Sequence, residues 1–147
     1  MRKIILIGCV SSKEKSINKA KKLYKGPLFK NSLKYANSLK SDKIFIISAL
    51  HYLLDLEEEI APYNVTLSNI PKSKQKNGIK ILSTKEKEEW GKIIINQLQN
   101  KFDLKNDKFI FLAGNEYIKP IFPFLNHWED PLKGLKIGER IKFLKNS

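Results

Sequence analysis

The sequence has few of the residues from which metal and redox sites are built. Its 147 residues include one cysteine and two histidines, and the histidines are far apart in the chain. One cysteine cannot form an internal disulfide, and this set of residues excludes a zinc site with several thiolates. A phosphate-binding loop, a dinucleotide-binding glycine motif and a Ser-His-Asp order are also absent. We therefore expect no metal and no cofactor, and a reducing, cytoplasmic setting for the lone thiol.

Long apolar stretches are missing as well. No run approaches the roughly 20 residues that a membrane-spanning helix needs, so we expect no membrane association. Leu6-Ile7-Gly8-Cys9 matches the end of a bacterial lipoprotein signal, but the apolar stretch before the cysteine begins only at Ile4. An export signal needs roughly 7–15 apolar residues. We interpret the stretch as a first β-strand.

Arginine is scarce although the chain is strongly basic. The formal net charge is +13, and of the 28 basic residues only Arg2 and Arg140 are arginines. Residues 1–50 hold 12 basic and 2 acidic residues. This excess indicates a polyanionic partner such as nucleic acid, or an anionic substrate. Lysine is a weaker reader of base edges than arginine, so sequence-specific DNA reading is not expected. Codon bias is the alternative explanation of the lysine excess.

Three short apolar runs predict buried strands at residues 3–7, 43–48 and 108–113. Their near-continuous apolar character is typical of a parallel sheet, which requires crossover helices. We expect helices at 31–39, at 139–144 and after Ser83, where Ser83 and Glu86 form a capping-box pattern. The polar segment 62–77 predicts a long surface loop or lid. The prediction is one α/β domain over residues 1–147, with three layers and a mainly parallel central sheet.

The carboxyl ends of parallel strands meet at one edge of a sheet, where ligands bind in open α/β folds. The candidate catalytic residues near these exits are Cys9 as a nucleophile, His51 for proton transfer and Glu116 as a general acid or base. The candidate substrate-binding residues offer hydroxyl, amide, ammonium, aromatic or main-chain groups: Ser11, Ser12, Lys13, Tyr24, Ser48, Tyr63, Asn64, Gly114, Asn115 and Tyr117.

Each of these candidates has a purely structural alternative. Cys9 can pack as a small hydrophobic residue, and Lys13 can be an ordinary surface cation. His51 can donate a single structural hydrogen bond, and Glu116 can be a favourable charge in the first turn of a helix. The tyrosines can belong to the core. His127, the other histidine, is interpreted as structural.

Six phrases spread along the chain form a recognisable pattern. They are Gly8-Cys9-Val10 with Lys13, Lys22-Leu23-Tyr24 with Pro27-Leu28-Phe29, Ser48-Ala49-Leu50-His51-Tyr52-Leu53-Leu54, Pro62-Tyr63-Asn64 with Thr66-Leu67, Ala113-Gly114 with Tyr117, and Pro131-Leu132-Lys133-Gly134-Leu135-Lys136-Ile137-Gly138. This pattern resembles a bacterial and phage domain family of unknown function with the motifs GCxxxK, LYxSPLF, SAKHGLL, PYDxTL, AGxxY and PLxGLxIGxxxxWL.

The chain is more loosely similar to the catalytic-like domain of archaeosine synthase and to the peroxide-stress protein YaaA. That resemblance implies a fold like that of uracil-DNA glycosylases, and a nucleobase or nucleic-acid substrate. By the same analogy, Cys9 is a candidate for a covalent thioimide with a nitrile-bearing deazaguanine. The chain departs from the family pattern where Leu50 replaces Lys, Tyr52 replaces Gly, Asn64 replaces Asp and Phe143 replaces Trp.

Three functions are compatible with these observations. The first is an enzyme that cleaves or modifies a base in a nucleobase, nucleotide or nucleic acid, and the polar strand exits favour it. The second is a non-catalytic nucleic-acid-binding protein, favoured by the lysine-rich first third and the missing Lys and Asp. The third is a phage or defence accessory protein that binds another protein. The sequence does not indicate an oligomeric state.

Overall fold

A five-stranded sheet forms the centre of the computed structural model, which describes residues 1–147. The elements in chain order are β1 (Lys3–Gly8), β2 (Asn18–Lys19), α1 (Ala20–Leu23), α2 (Pro27–Ser38), β3 (Lys43–Ser48), β4 (Tyr52–Asp55), β5 (Glu59–Ile60), β6 (Val65–Thr66), β7 (Lys80–Ile81), α3 (Thr84–Lys101), β8 (Lys108–Leu112), α4 (Asn115–Ile118), β9 (His127–Glu129) and α5 (Ile137–Lys145). Two short 3₁₀ turns span Lys72–Lys74 and Phe122–Phe124.

The sheet has the strand order β4-β3-β1-β8-β9. β1 lies at its centre and pairs in parallel with β3 on one side and β8 on the other. β9 extends the sheet in parallel beside β8, whereas β4 returns antiparallel to β3. The predicted α/β fold with a mainly parallel central sheet is confirmed, and the three predicted strands are neighbours. The two edge strands, β4 and β9, were not predicted.

Helices cover both faces of the sheet. Successive residues of β1 point to opposite sides, so its consecutive apolar residues give both faces an apolar surface to cover. Ile4 and Leu6 belong to one core cluster, which contains Trp90 and Leu98 of α3. Ile5 and Ile7 belong to the other cluster, in which residues of α1, α2 and α5 cover the sheet. The alternation of β1 therefore fixes which helices lie on which side.

The three predicted helices exist: α3 begins directly after Ser83 as predicted, and α2 and α5 have bounds that differ from the prediction. α2 begins four residues before position 31 because Pro27 occupies its first turn, where the missing N–H is no loss. The Ser83–Glu86 capping box is formed at the start of α3: the Ser83 hydroxyl accepts the Glu86 N–H at 3.2 Å, and Glu86 accepts the Ser83 N–H at 3.0 Å. α5 spans nine residues, longer than the predicted 139–144.

The segment 62–77 is only partly the surface loop that was predicted. Residues 71–78 are exposed, as expected of a loop. Near its start, however, β6 pairs in parallel with β7, and Thr66 and Leu67 are buried. The segment is therefore anchored into the core beside the exit of β8, because Leu67 packs in the same cluster as Tyr117.

Candidate functional site

Cys9 lies directly after β1, at the edge where the parallel strands end. Its main-chain N–H donates to the carbonyl of Ile47 at 3.3 Å, and this bond continues the pairing of β1 with β3 past the end of the strand. Its Sγ atom lies 3.2 Å from the hydroxyl of Tyr117 in α4. The thiol is half-buried. The central strand thus holds the only thiol of the chain at a fixed position beside a buried phenol.

The Tyr117 hydroxyl connects the thiol to the anchored start of the 62–77 segment. It lies 3.2 Å from Thr66 Oγ1 and accepts the main-chain N–H of Leu67 at 3.4 Å. The Tyr117 ring packs edge-on against Trp90, whose indole N–H donates to the Ser48 carbonyl at 2.9 Å. The position of Tyr117 is therefore set by α3, β3 and β6 together.

A second group of hydroxyls surrounds Tyr63. The Tyr63 hydroxyl lies 2.6 Å from that of Tyr24 and 2.7 Å from Ser48 Oγ. Ser48 Oγ also accepts the main-chain N–H groups of Leu50 and His51, at 3.3 and 3.0 Å. The His51 ring stands edge-on to the Tyr63 ring, with the centroids 5.3 Å apart. These contacts join Tyr24, Ser48, His51 and Tyr63 into one cluster.

Lys13 lies between the thiol and the Tyr63 cluster. Its Nζ atom lies 4.3 Å from the centroid of the Tyr63 ring and 5.7 Å from that of Tyr24, within range of a cation–π interaction. Burial lowers the pKa of the Lys13 ammonium; the charge of a Cys9 thiolate opposes this shift, and Lys76 reinforces it. Lys13 is thus a partly desolvated cation, electrostatically coupled to the thiol.

The three tyrosine hydroxyls stay protonated at neutral pH. Burial raises the pKa of Tyr24, Tyr63 and Tyr117, and the charge of a Cys9 thiolate raises each one further. A protonated phenol can donate a hydrogen bond to a thiolate or to a ligand. The site therefore presents neutral donors and one cation around the thiol.

Three adjoining depressions meet at Cys9. One, of about 10 Å³, is also lined by Lys13, Asn64 and Tyr117. A second, of about 50 Å³, lies between the exits of β1 and β8 and the helices α2 and α5. The third is an open cleft of about 510 Å³. It is lined by Cys9, Val10, Ser11, Leu28, Thr66, Ser68, Ile70, Gly114, Tyr117, Leu135, Lys136, Ile137 and Arg140.

Most of the predicted site residues come together around these features. Cys9, Ser11, Lys13, Asn64, Gly114 and Tyr117 line at least one of the three depressions. Tyr24, Ser48, Tyr63 and His51 form the adjoining cluster, in which the His51 ring stands edge-on to the Tyr63 ring. Ser12 and Asn115 are exposed and line none of the three depressions.

Glu116 does not join the other candidates. It forms ion pairs with Lys87 at 2.8 Å and Lys119 at 3.2 Å, in a separate polar cavity. These ammonium groups, Lys87 first, lower the pKa of the carboxyl. Successive helix residues point roughly 100° apart, so Glu116 faces away from the side that Tyr117 occupies. The expectation that Glu116 lies at the shared strand exits holds for its backbone and is wrong for its side chain.

Sequence reasoning missed Thr66, Lys136 and Arg140 as site residues. Thr66 contacts Tyr117 across 51 positions, and Arg140 reaches the carbonyl of Ala113 across 27 positions. One clue was available for Arg140, because it is one of only two arginines in the chain.

A family model matches residues 4–146, which is nearly the whole chain. The chain belongs to DUF6884, a family of unknown function. Membership in this family agrees with the expected resemblance to a domain family of unknown function. No curated protein matches this DUF6884 chain.

The DUF6884 chain has neither a cluster of metal ligands nor a membrane-spanning helix. No three His, Cys, Asp or Glu side chains are grouped so that they could hold a metal ion. None of the helices combines the length and the apolar character required to cross a lipid bilayer.

Proposed function

We propose that this DUF6884 protein is an enzyme that modifies or removes a base in a nucleobase, nucleotide or nucleic-acid substrate. One observation carries the proposal: the single thiol lies where three depressions meet, beside a buried phenol and a partly desolvated lysine. A structural cysteine requires none of these neighbours. We extend the proposal to the finer fold, and expect a uracil-DNA-glycosylase-like version of the α/β architecture.

The proposed chemistry begins at Cys9. A thiolate is the reactive form of cysteine, and a nearby cation stabilises it. Addition of the thiol across a C=C or C≡N bond of a base joins sulfur to carbon and delivers the thiol proton to the other atom of that bond, so no further reactant is needed. Release of a base breaks the bond between the base nitrogen and the sugar carbon and consumes one water molecule: its hydroxyl joins the sugar carbon and its proton joins the base nitrogen. Elimination of the thiol from the freed base then restores Cys9.

The neighbours of Cys9 have distinct roles in this proposal. Lys13 balances the charge of the thiolate, and the Tyr117 hydroxyl lies at hydrogen-bonding distance from Sγ. His51 is the candidate for proton transfer, through the Ser48–Tyr63 side of the site. The His51 ring stands edge-on to the Tyr63 ring, over which the Lys13 ammonium also lies.

The apolar walls of the large cleft suit a flat heterocycle. Leu28, Ile70 and Ile137 line the cleft together with the hydroxyls of Ser11 and Ser68. Ligand sites combine apolar walls with a few polar groups that fix the orientation of the ligand. A base lying between these walls would have its edge near the hydroxyls and its reacting carbon near Cys9.

The decisive experiment compares wild type with Cys9→Ser and His51→Ala. Each protein is incubated with nucleosides, nucleotides and short oligonucleotides; intact-protein mass spectrometry detects an adduct, and chromatography detects a free or altered base. A proton-transfer group contributes on the order of 10²–10⁴-fold in rate, so His51→Ala should lower turnover by about that factor. His127→Ala is the matched control, because this other histidine is exposed on β9.

The outcomes separate the possible mechanisms. Loss of activity in both variants, with an adduct only when Cys9 is present, supports the thiol route. Loss in His51→Ala alone supports direct hydrolysis or transfer without an adduct. Full activity in both variants would show that the chemistry lies on other residues.

One observation favours a second candidate function, a non-catalytic nucleic-acid-binding protein. The helical layer that contains α2 and α5 carries most of the excess charge. Residues 20–40 hold six lysines and no acidic residue, and residues 131–147 hold four lysines and Arg140 against Glu139 alone. The helices α2 and α5 pack against each other, so these charges share one face of the molecule. Such a face binds phosphates without reading bases.

A further inference from the structure

Arg140 is held in place by the main chain of two other segments. Its Nε donates to the carbonyl of Leu135 at 2.9 Å, and its Nη1 donates to the carbonyl of Ala113 at 3.0 Å. A guanidinium has five N–H donors, so three remain without a protein acceptor. Arg140 forms no ion pair with a carboxylate. The side chain is therefore fixed in position while most of its donors are unused.

The anchoring bond to Ala113 places this guanidinium beside the thiol. Ala113 follows the last residue of β8, and Ile7 pairs with Leu112, so Ala113 lies next to Gly8. Neighbouring strands are about 4.8 Å apart. Cys9 and Arg140 accordingly line the same two depressions, of about 50 and 510 Å³. A ligand that contacts Sγ in the large cleft lies within reach of the guanidinium.

The charged side chains that line the large cleft are both cations, Lys136 and Arg140. The carboxylate of Glu139 accepts the main-chain N–H of Lys136 at 3.0 Å. Asp130 is the other acidic residue near Arg140, and burial raises the pKa of its carboxyl against the opposing charge of Arg140. Glu139 and Asp130 do not line the cleft, so a ligand there meets two cationic side chains and no carboxylate.

We propose that Arg140 and Lys136 form a phosphate subsite, and that the preferred ligands of the Cys9 cleft are phosphate esters rather than free bases or nucleosides. This inference rests on the proposed function and specifies its substrate class. A planar guanidinium with several free donors suits the bidentate geometry of a phosphate. The hydroxyls of Ser11 and Ser68 line the same cleft and remain available to the base. The phosphate belongs either to a mononucleotide or to a polynucleotide backbone.

The test measures binding rather than turnover, in the Cys9→Ser background, so that its result does not depend on chemistry. Isothermal titration compares four probes: a nucleoside, its 5′-monophosphate, a short single-stranded oligonucleotide and inorganic phosphate. We expect the monophosphate or the oligonucleotide to bind at least tenfold more tightly than the nucleoside, because hydrogen bonds to charged groups are strong. A preference for the monophosphate identifies a mononucleotide substrate, and a preference for the oligonucleotide identifies a polynucleotide.

Three variants show whether the subsite carries this preference. Arg140→Gln should remove the tighter binding of phosphate-bearing probes relative to the nucleoside. Arg140→Lys should weaken this preference because the fork geometry of the guanidinium is lost, and Lys136→Gln should reduce it severalfold. Lys92→Gln is the matched control, because Lys92 is an exposed lysine on α3, across the sheet. Circular dichroism checks folding, since Arg140 ties α5 to β8. If Arg140→Gln does not fold, Arg140→Lys and Lys136→Gln decide the question.

Two results overturn the inference: folded variants that keep the full phosphate preference, or a protein that binds no phosphate-bearing probe at millimolar concentration. The two proposals can also fail separately. Phosphate binding through Arg140 with no base chemistry in wild type refutes the proposed function and retains the subsite. Base chemistry that is equally efficient on nucleosides and on phosphorylated substrates refutes the subsite and retains the function.

Discussion

The substitution Gly8→Ala should loosen the sheet edge that holds the thiol. A Cβ atom at Gly8 would lie 2.8 Å from the Cβ of Ala113 and 3.2 Å from its Cα. Optimal carbon–carbon contacts are about 3.5–4.0 Å, so the new methyl group is too close by roughly 0.7–1.2 Å. Neither atom of Ala113 can rotate away. The exits of β1 and β8 must therefore separate.

Overpacking of this kind costs about 1–3 kcal/mol. For a chain of this size, each kcal/mol lowers Tm by about 2–4 °C, so the expected loss is about 2–12 °C. Thermal unfolding followed by circular dichroism measures Tm, and urea titration gives the free energy of unfolding. Gly138→Ala is the control, because nothing lies within 4 Å of a Cβ there and alanine favours the helix.

A second substitution tests the cause. Ala113→Gly removes the methyl group that Gly8→Ala would meet, so the double variant should be more stable than the sum of the two single effects predicts. The reasoning is refuted if Gly8→Ala leaves stability unchanged, or if Ala113→Gly brings no recovery in the double variant.

The remaining predictions concern the backbone, acid stability and salt. Tyr52 has a φ of 60°, in the left-handed region; Tyr52→Gly should therefore be about 1 kcal/mol more stable to urea than Tyr52→Ala, because both lose the ring and only glycine relieves the backbone. Equal stability would contradict this. The pKa of the Glu86 carboxyl is lowered from 4.5 to about 2. The hydrogen bond from the Ser83 N–H makes the largest contribution, and the interaction with Lys80 comes next. The Glu86 carboxylate therefore stabilises the fold above pH 4.5, and this stabilisation is lost as the pH falls towards 2. The free energy of unfolding of Glu86→Gln should accordingly fall less than that of wild type between pH 4.5 and 2. Finally, filter binding to oligonucleotides of unrelated sequence should give similar affinities that fall at least about tenfold between 50 and 200 mM salt; salt-independent binding, or none at low salt, would count against a nucleic-acid partner.

The three central strands could be predicted because the apolar residues that make each of them buried are consecutive in the sequence. Each run holds four or five consecutive apolar residues and ends in small or polar residues, so its position and the meeting of the strand exits both follow. β4 escaped prediction because it directly follows a tight turn, and its first residue, Tyr52, takes a conformation that favours glycine. The one available signal was the departure from the family pattern, which has Gly where this chain has Tyr52.

The composition of the site depends on contacts between distant parts of the chain. Tyr117 was predicted at the site, but its contact with Thr66 depends on how the 62–77 segment folds back. The side chain of Glu116 was misplaced because neighbouring residues of one short helix face different directions. The position of Arg140 depends on how α5 docks on the sheet, and local periodicity carries no information about that docking.

The solitary thiol has a practical consequence. Because Cys9 is half-buried in the cleft and no other cysteine competes, a maleimide dye or a nitroxide will attach at one place in each molecule. The unaltered protein can thus be labelled stoichiometrically without removing any native residue. A compound that binds in the cleft should slow the labelling of Cys9. The rate of labelling therefore reports occupancy of the cleft, and compound libraries can be screened in this way before any turnover assay exists.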